Sequence, residues 1–239
     1  MIKLKTKASK ALRVLCAFLA GVVWCLTLVN AAEKSEVIFE KLNNSDPTVR
    51  SAEARRLGDE KVKESVPALI EALKDNVTGV RINAVVSLGK LGDERAIEPL
   101  TDILNNDRVP AARKKAAEAL GNFDNEGIKT ELLKAADSED ENVRSSAVLS
   151  LKDTGGENEV GKLIEKAQKD ESWLVRKSAI RALAGIVENR REGKGKRKEI
   201  EKVIKRAEKD GDKEVRDAAE KALKRLEKVP KKKKKWWFF

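Results

Sequence analysis

The chain has no histidine and no tyrosine, only two cysteines and one methionine, and its aromatic residues amount to 4%. Each shortage excludes some chemistry. Histidine is the usual general base near neutral pH and the commonest metal ligand, so both roles would fall to other side chains. Cys16 and Cys25 both lie in an apolar run near the amino terminus; if that run is removed, no disulfide and no thiolate site remains. There is no Gly-x-Gly-x-x-Gly and no Walker-type phosphate loop. Carboxylates are plentiful, but they fall at helical spacing beside lysines, as solvated faces and surface pairs do. The sequence therefore predicts a protein that is not an enzyme and holds neither cofactor nor metal. With so few aromatics, the core must be built from Leu, Ile, Val and Ala.

The formal net charge of +11 points first to nucleic acid. Its distribution argues against that. Lys3, Lys5, Lys7, Lys10 and Arg13 cluster at one end and five lysines at the other; removing these from the 51 basic residues leaves 41 against 40 acidic. A near-neutral body lacks the broad basic footprint that phosphate binding requires.

What the chain has in abundance is repetition. Arg50, Arg81, Arg113, Arg144, Arg176 and Arg216 are spaced 31, 32, 31, 32 and 40 residues apart. Seven residues after each stands Leu57, Leu88, Leu120, Leu151, Leu183 or Leu223, and three after stands Ala84, Ala116, Ala147, Ala179 or Ala219, with Glu53 in the first copy. Six residues before are Asn44, Asp75, Asp107, Ser138, Asp170 and Asp210. A period in this range signals stacked supersecondary units. Each unit reads as two helices: Leu69, Ile70 and Leu73, or Leu100, Ile103 and Leu104, share one face of the first. Asp46-Pro47 suits a helix start. Gly58, Gly89 and Gly121, after the last apolar residue, are expected to be left-handed caps. No unit this small buries its own apolar face, so the units must stack. The fold class is all-α: an α-α superhelix of about six helical hairpins over residues 35–228.

This pattern resembles HEAT repeats, in particular the short phycobilisome-lyase HEAT-like variety. Leu91-Gly92-Asp93-Glu94-Arg95-Ala96-Ile97-Glu98-Pro99-Leu100 is the inter-repeat join as that family writes it. The resemblance implies a structural Asp–Arg ladder, carried here by Asp75, Arg81, Asp107, Arg113, Asp170, Arg176, Asp210 and Arg216; Asn44 and Ser138 depart from it. It also implies relatives that attach bilin pigments, and others, similar to deoxyhypusine hydroxylase, that hold iron through paired His-Glu motifs. This chain has no such motif, and the cytoplasmic bilin activity would clash with export.

Export is expected from residues 1–31. A basic stretch, the apolar Val14 to Val29, and Val29-Asn30-Ala31 ahead of a cut after Ala31 make up a secretory signal peptide. The rival is an uncleaved anchor. The mature chain would work in the periplasm or on the outer face of the cytoplasmic membrane.

Two segments stand out as contact candidates. The long final spacing places an insertion near residues 189–198, where Arg190, Arg191, Lys194, Lys196, Arg197 and Lys198 would meet a protein partner. The chain ends in Lys231, Lys232, Lys233, Lys234 and Lys235, then Trp236, Trp237, Phe238 and Phe239. Lysines beside aromatics suit an anionic membrane surface. Trp173 reads as a packing residue at a turn between repeats. The expectation is an exported, non-enzymatic scaffold that binds an unidentified protein, with membrane association through residues 229–239, or a pigment lyase, as the alternatives.

Overall fold

The computed structural model describes residues 36–153, 156–189 and 196–229. Among them are twelve α-helices: α1 (36–42), α2 (Pro47–Asp59), α3 (Val66–Ala72), α4 (Thr78–Leu91), α5 (Ile97–Asn106), α6 (Pro110–Leu120), α7 (Glu126–Ala135), α8 (Glu141–Ser150), α9 (Glu157–Lys169), α10 (Trp173–Glu188), α11 (Lys196–Ala207) and α12 (Lys213–Glu227). Consecutive helices pair into six hairpins. The second helices form a continuous row, α2 on α4, α4 on α6, α6 on α8, α8 on α10 and α10 on α12. Of the first helices, α5, α7, α9 and α11 follow one another in a parallel row. No helix among the described residues is long and apolar enough to cross a membrane; the expected signal segment and the Lys/aromatic tail lie outside them.

Local chemistry sets the helix starts. Asp46, Asn125, Asp140, Ser172 and Asp212 each accept from a backbone N–H of the first turn of α2, α7, α8, α10 and α12, satisfying donors that the helix itself leaves open. Pro47, Pro67 and Pro110 stand in first turns, where no intrahelical N–H is needed. Leu57, Leu88, Leu120, Leu151 and Leu183 are fully buried, as are Ala84, Ala116, Ala147, Ala179 and Ala219, in one apolar cluster that runs the length of the stack.

The glycine expectation needs correction. Among the described glycines only Gly92 has positive φ, at 65°, closing α4 as a left-handed cap. Gly58 and Gly89 lie within helices, and Gly121 is right-handed with φ −62°. Their role is close approach between second helices. A Cβ on Gly58 would sit 2.6 Å from the Ser87 Cα, one on Gly89 2.7 Å from the Ala119 Cβ, and one on Gly121 2.7 Å from the Ser150 Cβ. The fourth repeat has Lys152 at this position. There α8 stops at Ser150 and a 3-10 turn, Leu151–Asp153, carries Lys152 outward.

Candidate functional site: the inter-repeat ladder and the exposed helix faces

The arginines of the repeat are built into the joints. In all six, Nη1 donates to the backbone carbonyl six residues earlier: Asn44 (2.7 Å), Asp75 (2.9 Å), Asp107 (2.9 Å), Ser138 (2.9 Å), Asp170 (3.0 Å) and Asp210 (2.7 Å). The other side of the guanidinium faces the next repeat. Arg50 donates to both oxygens of Asp75 at 2.6 and 3.0 Å, Arg81 to Asp107 at 2.7 and 3.0 Å, Arg144 to Asp170 at 3.2 and 3.2 Å, and Arg176 to Asp210 at 2.8 and 2.9 Å. This two-pronged geometry is the one guanidinium and carboxylate are shaped for.

Each aspartate also orders its own loop. Asp75, Asp107, Asp170 and Asp210 accept from the N–H two residues on, at 2.8 to 3.0 Å. Asn44 does the same at 2.9 Å, while the Ser138 hydroxyl reaches only 3.3 Å. Asn44 keeps the loop-ordering role, and no earlier repeat among the described residues offers it an arginine. Ser138 is the position that breaks the ladder: Arg113 makes no ion pair among the described residues. Among the described residues Arg216 likewise bonds only the carbonyls of Asp210 and Gly211.

Ser138→Asp would restore the Arg50–Asp75 separation of 25 residues at Arg113. Against it stand the neighbouring carboxylates of Asp137, Glu139 and Asp140. The pair should win, raising stability by about 0.5–1 kcal/mol. The gain should vanish in an Arg113→Ala background, as a double-mutant cycle in urea would show. A fall in the urea midpoint would mean that repulsion dominates.

Electrostatics follow the contacts. The Arg50 hydrogen bonds hold the Asp75 carboxyl below its usual range, and those from Arg176 do the same for Asp210. Burial pushes Asp107 up, but Arg81 and the Val109 amide outweigh it, and the net shift is downward. A carboxylate held below its unfolded value adds stability above pH about 4 and loses it as acid protonates the group. With no histidine in the chain, no side chain of ordinary pKa titrates between pH 5 and 8. The melting temperature should therefore be flat across that range and fall below pH about 4. A drop between pH 7 and 5, measured by thermal denaturation, would contradict this.

A second set of bonds ties the row of second helices together. Ser87 donates to the Ala54 carbonyl at 2.7 Å, Ser150 to Ala117 at 3.0 Å, Asn122 to Gly89 at 3.1 Å and Asn83 to the Ser51 hydroxyl at 2.8 Å. The sequence held a signal for these: Ser87 and Ser150 both stand six residues after a ladder arginine.

Two of the concavities lie on the exposed surface of that row; a third, of about 530 Å³, lies at the turns and beside α9, lined by Ser138, Arg144, Glu165, Lys166 and Asp170. An open groove of about 810 Å³ lies over α2 and α4, bordered by Pro47, Ser51, Ala52, Arg55, Val77 and Asn83. A smaller one of about 190 Å³ lies over α6 and α8, beside Glu118, Ser146 and Leu149. Among the described residues, no group of three or more His, Cys, Asp or Glu side chains could hold a metal ion.

The sequence-selected basic residues separate. Arg190, Arg191 and Lys194 lie outside the described residues. Lys196, Arg197 and Lys198 are not loop residues, as expected, but form the first turn of α11. Arg197 is mostly buried: it bonds Glu201 at 2.9 Å and donates to the carbonyls of Leu226 (3.4 Å) and Val229 (3.0 Å), closing the end of α12. That is structural work and takes it out of the contact set. Lys196 pairs with Glu199 at 2.9 Å; Lys198 is exposed. Lys231 to Phe239 lie outside the described residues. Trp173 is not packed away. It is 40% exposed at the start of α10, with the Lys177 Nζ 5.3 Å from its ring centroid, a cation–π contact.

Known proteins give this architecture a context. A family model described as HEAT repeats matches residues 35–121 and 106–184. Deoxyhypusine hydroxylase of Neurospora crassa is 36% identical over 89 residues, 36% of this chain and 28% of that protein. The chain thus spans little more than a quarter of that relative. Among solved structures, the CpcE–CpcF complex of phycocyanin lyase from Nostoc is similar with a TM-score of 0.59 at 22% identity, over 80% of this chain and 76% of that one. YibA of Escherichia coli is similar at 0.54 and 20% identity, over 81% and 73%. A designed armadillo repeat protein is similar at 0.50 and 21%, over 79% and 98%. At these identities the structural likenesses carry the fold alone. Since the HEAT-repeat model matches more than half of the chain, this protein belongs to the HEAT-repeat family.

Proposed function

We propose that this HEAT-repeat scaffold binds a protein partner across its row of second helices, without catalysis, after export to the cell envelope. The observation that carries the reading is the packing of that row. Second helices touch through Gly58–Ser87, Gly89–Ala119 and Gly121–Ser150, with residues too small to hold them apart. The first helices approach one another less closely than the second helices do. The stack therefore curves toward the second helices, whose exposed faces and grooves become the concave side. Curved solenoids use such surfaces for extended partners.

Photocrosslinkers placed at Arg55, Lys114 and Arg181 on second helices should capture one protein in the native envelope. The same groups at Glu71, Asp102 and Glu165 on first helices should not. Capture from the first helices alone would overturn the proposal. The export half is tested by intact mass: a mature protein retaining residues 1–31 would contradict cleavage. A second reading, association with an anionic membrane surface, is supported by the five lysines and four aromatics of residues 231–239.

A further inference from the structure

The outward faces of the first helices are mostly acidic or mixed. Glu71 is exposed on α3, Glu98 and Asp102 on α5, Thr130 and Lys134 on α7, and Glu165 on α9. The last of the row differs. On α11 the buried residues are Ile200, Val203, Ile204 and Ala207. Directly opposite, Lys198, Lys202 and Lys205 stand one above another at four- and three-residue spacing, and Lys209 comes next in the turn beyond; all four are exposed. None makes an ion pair among the described residues. The acids of the same helix are engaged elsewhere, Glu199 by Lys196 and Glu201 by Arg197. Three ammonium groups without an ion pair among the described residues, over about 10 Å of helix, with Lys209 and the exposed Glu208 in the turn beyond, give the fold nothing, since like charges repel.

We infer that this lysine face of α11 docks the protein on an anionic phospholipid bilayer. The inference rests on the membrane reading above, and it assigns the contact to a face of the folded domain. A straight row of flexible ammonium groups fits a plane of phosphates, each lysine contributing near an anionic leaflet without a shaped pocket. The carboxyl-terminal end of the chain agrees. Arg197 ties the carbonyls of Leu226 and Val229 to the first turn of α11. Val229, the last described residue, therefore lies beside the foot of the lysine row. Ten residues remain after Val229, five of them lysine and four aromatic, and they can reach at most about 35 Å. Aromatic rings suit the headgroup level of a bilayer. Nucleic acid is the rival polyanion, and the near-neutral body of the chain disfavours it.

The test is sedimentation of the full chain with vesicles of phosphatidylcholine alone, or of phosphatidylcholine with phosphatidylglycerol. The readout is the ratio of the two partition coefficients, which cancels apolar binding common to both. The variant K198E/K202E/K205E/K209E should lower that ratio about 100- to 1,000-fold with an unchanged melting temperature. The corresponding glutamine variant serves if the glutamate one does not fold. A chain ending at Val229 should keep an anionic preference that the four substitutions then remove. If the four substitutions leave the ratio unchanged while removal of residues 230–239 abolishes it, the tail reading stands and the α11 face is overturned. Displacement of the protein from anionic vesicles by stoichiometric duplex DNA would overturn it in favour of nucleic acid.

Discussion

Replacing Arg81 with alanine should cost about 3–5 kcal/mol of stability, several times the cost of Arg113→Ala. The two arginines occupy the same place in successive repeats, and each donates to a carbonyl six residues back. They differ in what lies across the joint. The Arg81 and Asp107 side chains are 6% and 3% exposed, and their two bonds leave little room for water. Removing the guanidinium strands the carboxylate of Asp107 away from solvent, with only the Val109 N–H still donating to it. A buried, unpaired carboxylate is among the costliest defects a single substitution can make. Arg113 has no carboxylate partner among the described residues and donates to the Asp107 carbonyl, so its loss forfeits one hydrogen bond, about 1 kcal/mol. Urea unfolding of the two variants beside the parent reads the difference directly. Equal losses would show that the carbonyl bond, not the ion pair, holds the joints.

The ladder was legible in the sequence because it depends on residue type at fixed spacing. Arginines at intervals of 31, 32, 31, 32 and 40 residues, four of the six with an aspartate six before, need no coordinates to be noticed. The direction of pairing was not legible. Both aspartates near a given arginine are candidates on sequence alone. The structure divides the labour: the earlier one supplies its backbone carbonyl, the later one its carboxylate. This also explains why Asn44 and Ser138, alike as departures, are unequal. Asn44 has only a loop to order, whereas Ser138 leaves Arg113 without a carboxylate. Glu53, in the alanine position of the first repeat, is buried but bonded to Arg56 at 2.6 and 2.9 Å. The Arg56 bonds, the larger effect, hold its carboxyl below the ordinary range although burial pushes it up.

The exposed faces were less legible, for a physical reason. A basic stretch such as residues 189–198 is conspicuous in a sequence because its charges are adjacent. Adjacent residues on a helix point in different directions. Within the first turn of α11, Arg197 turns inward to close α12 while Lys198 faces solvent. The row Lys198, Lys202, Lys205 is diluted by intervening acids and apolar residues, and emerges only once the buried face of α11 is fixed. Trp173 escaped in a similar way. Its place beside Leu174 and Val175 suggested packing, but at the first position of α10 it lies outside the buried stripe.

The glycines give the second large effect. By helix propensity alone, Gly89 in α4 should be improved by any larger residue but proline, by up to about 1 kcal/mol. The neighbouring helix decides otherwise. A Cβ there would meet the Ala119 Cβ at 2.7 Å and the Ala119 Cα at 3.0 Å, and a backbone atom cannot rotate away. Gly89→Leu should therefore force α4 and α6 apart and cost about 3 kcal/mol, despite the better propensity. Gly161 provides the control. It is exposed on α9, with nothing within 4 Å of an added Cβ, and Gly161→Ala should stabilise by about 0.5–1 kcal/mol. In a solenoid held by nearest-neighbour contacts, a wedge at one joint also uncouples the blocks on either side. Hydrogen exchange on the Gly89→Leu variant should then find residues 36–91 opening at lower free energy than residues 126–229. A single cooperative transition with uniformly lowered protection would mean that the row of second helices tolerates the gap, and that small residues are not what sets its spacing.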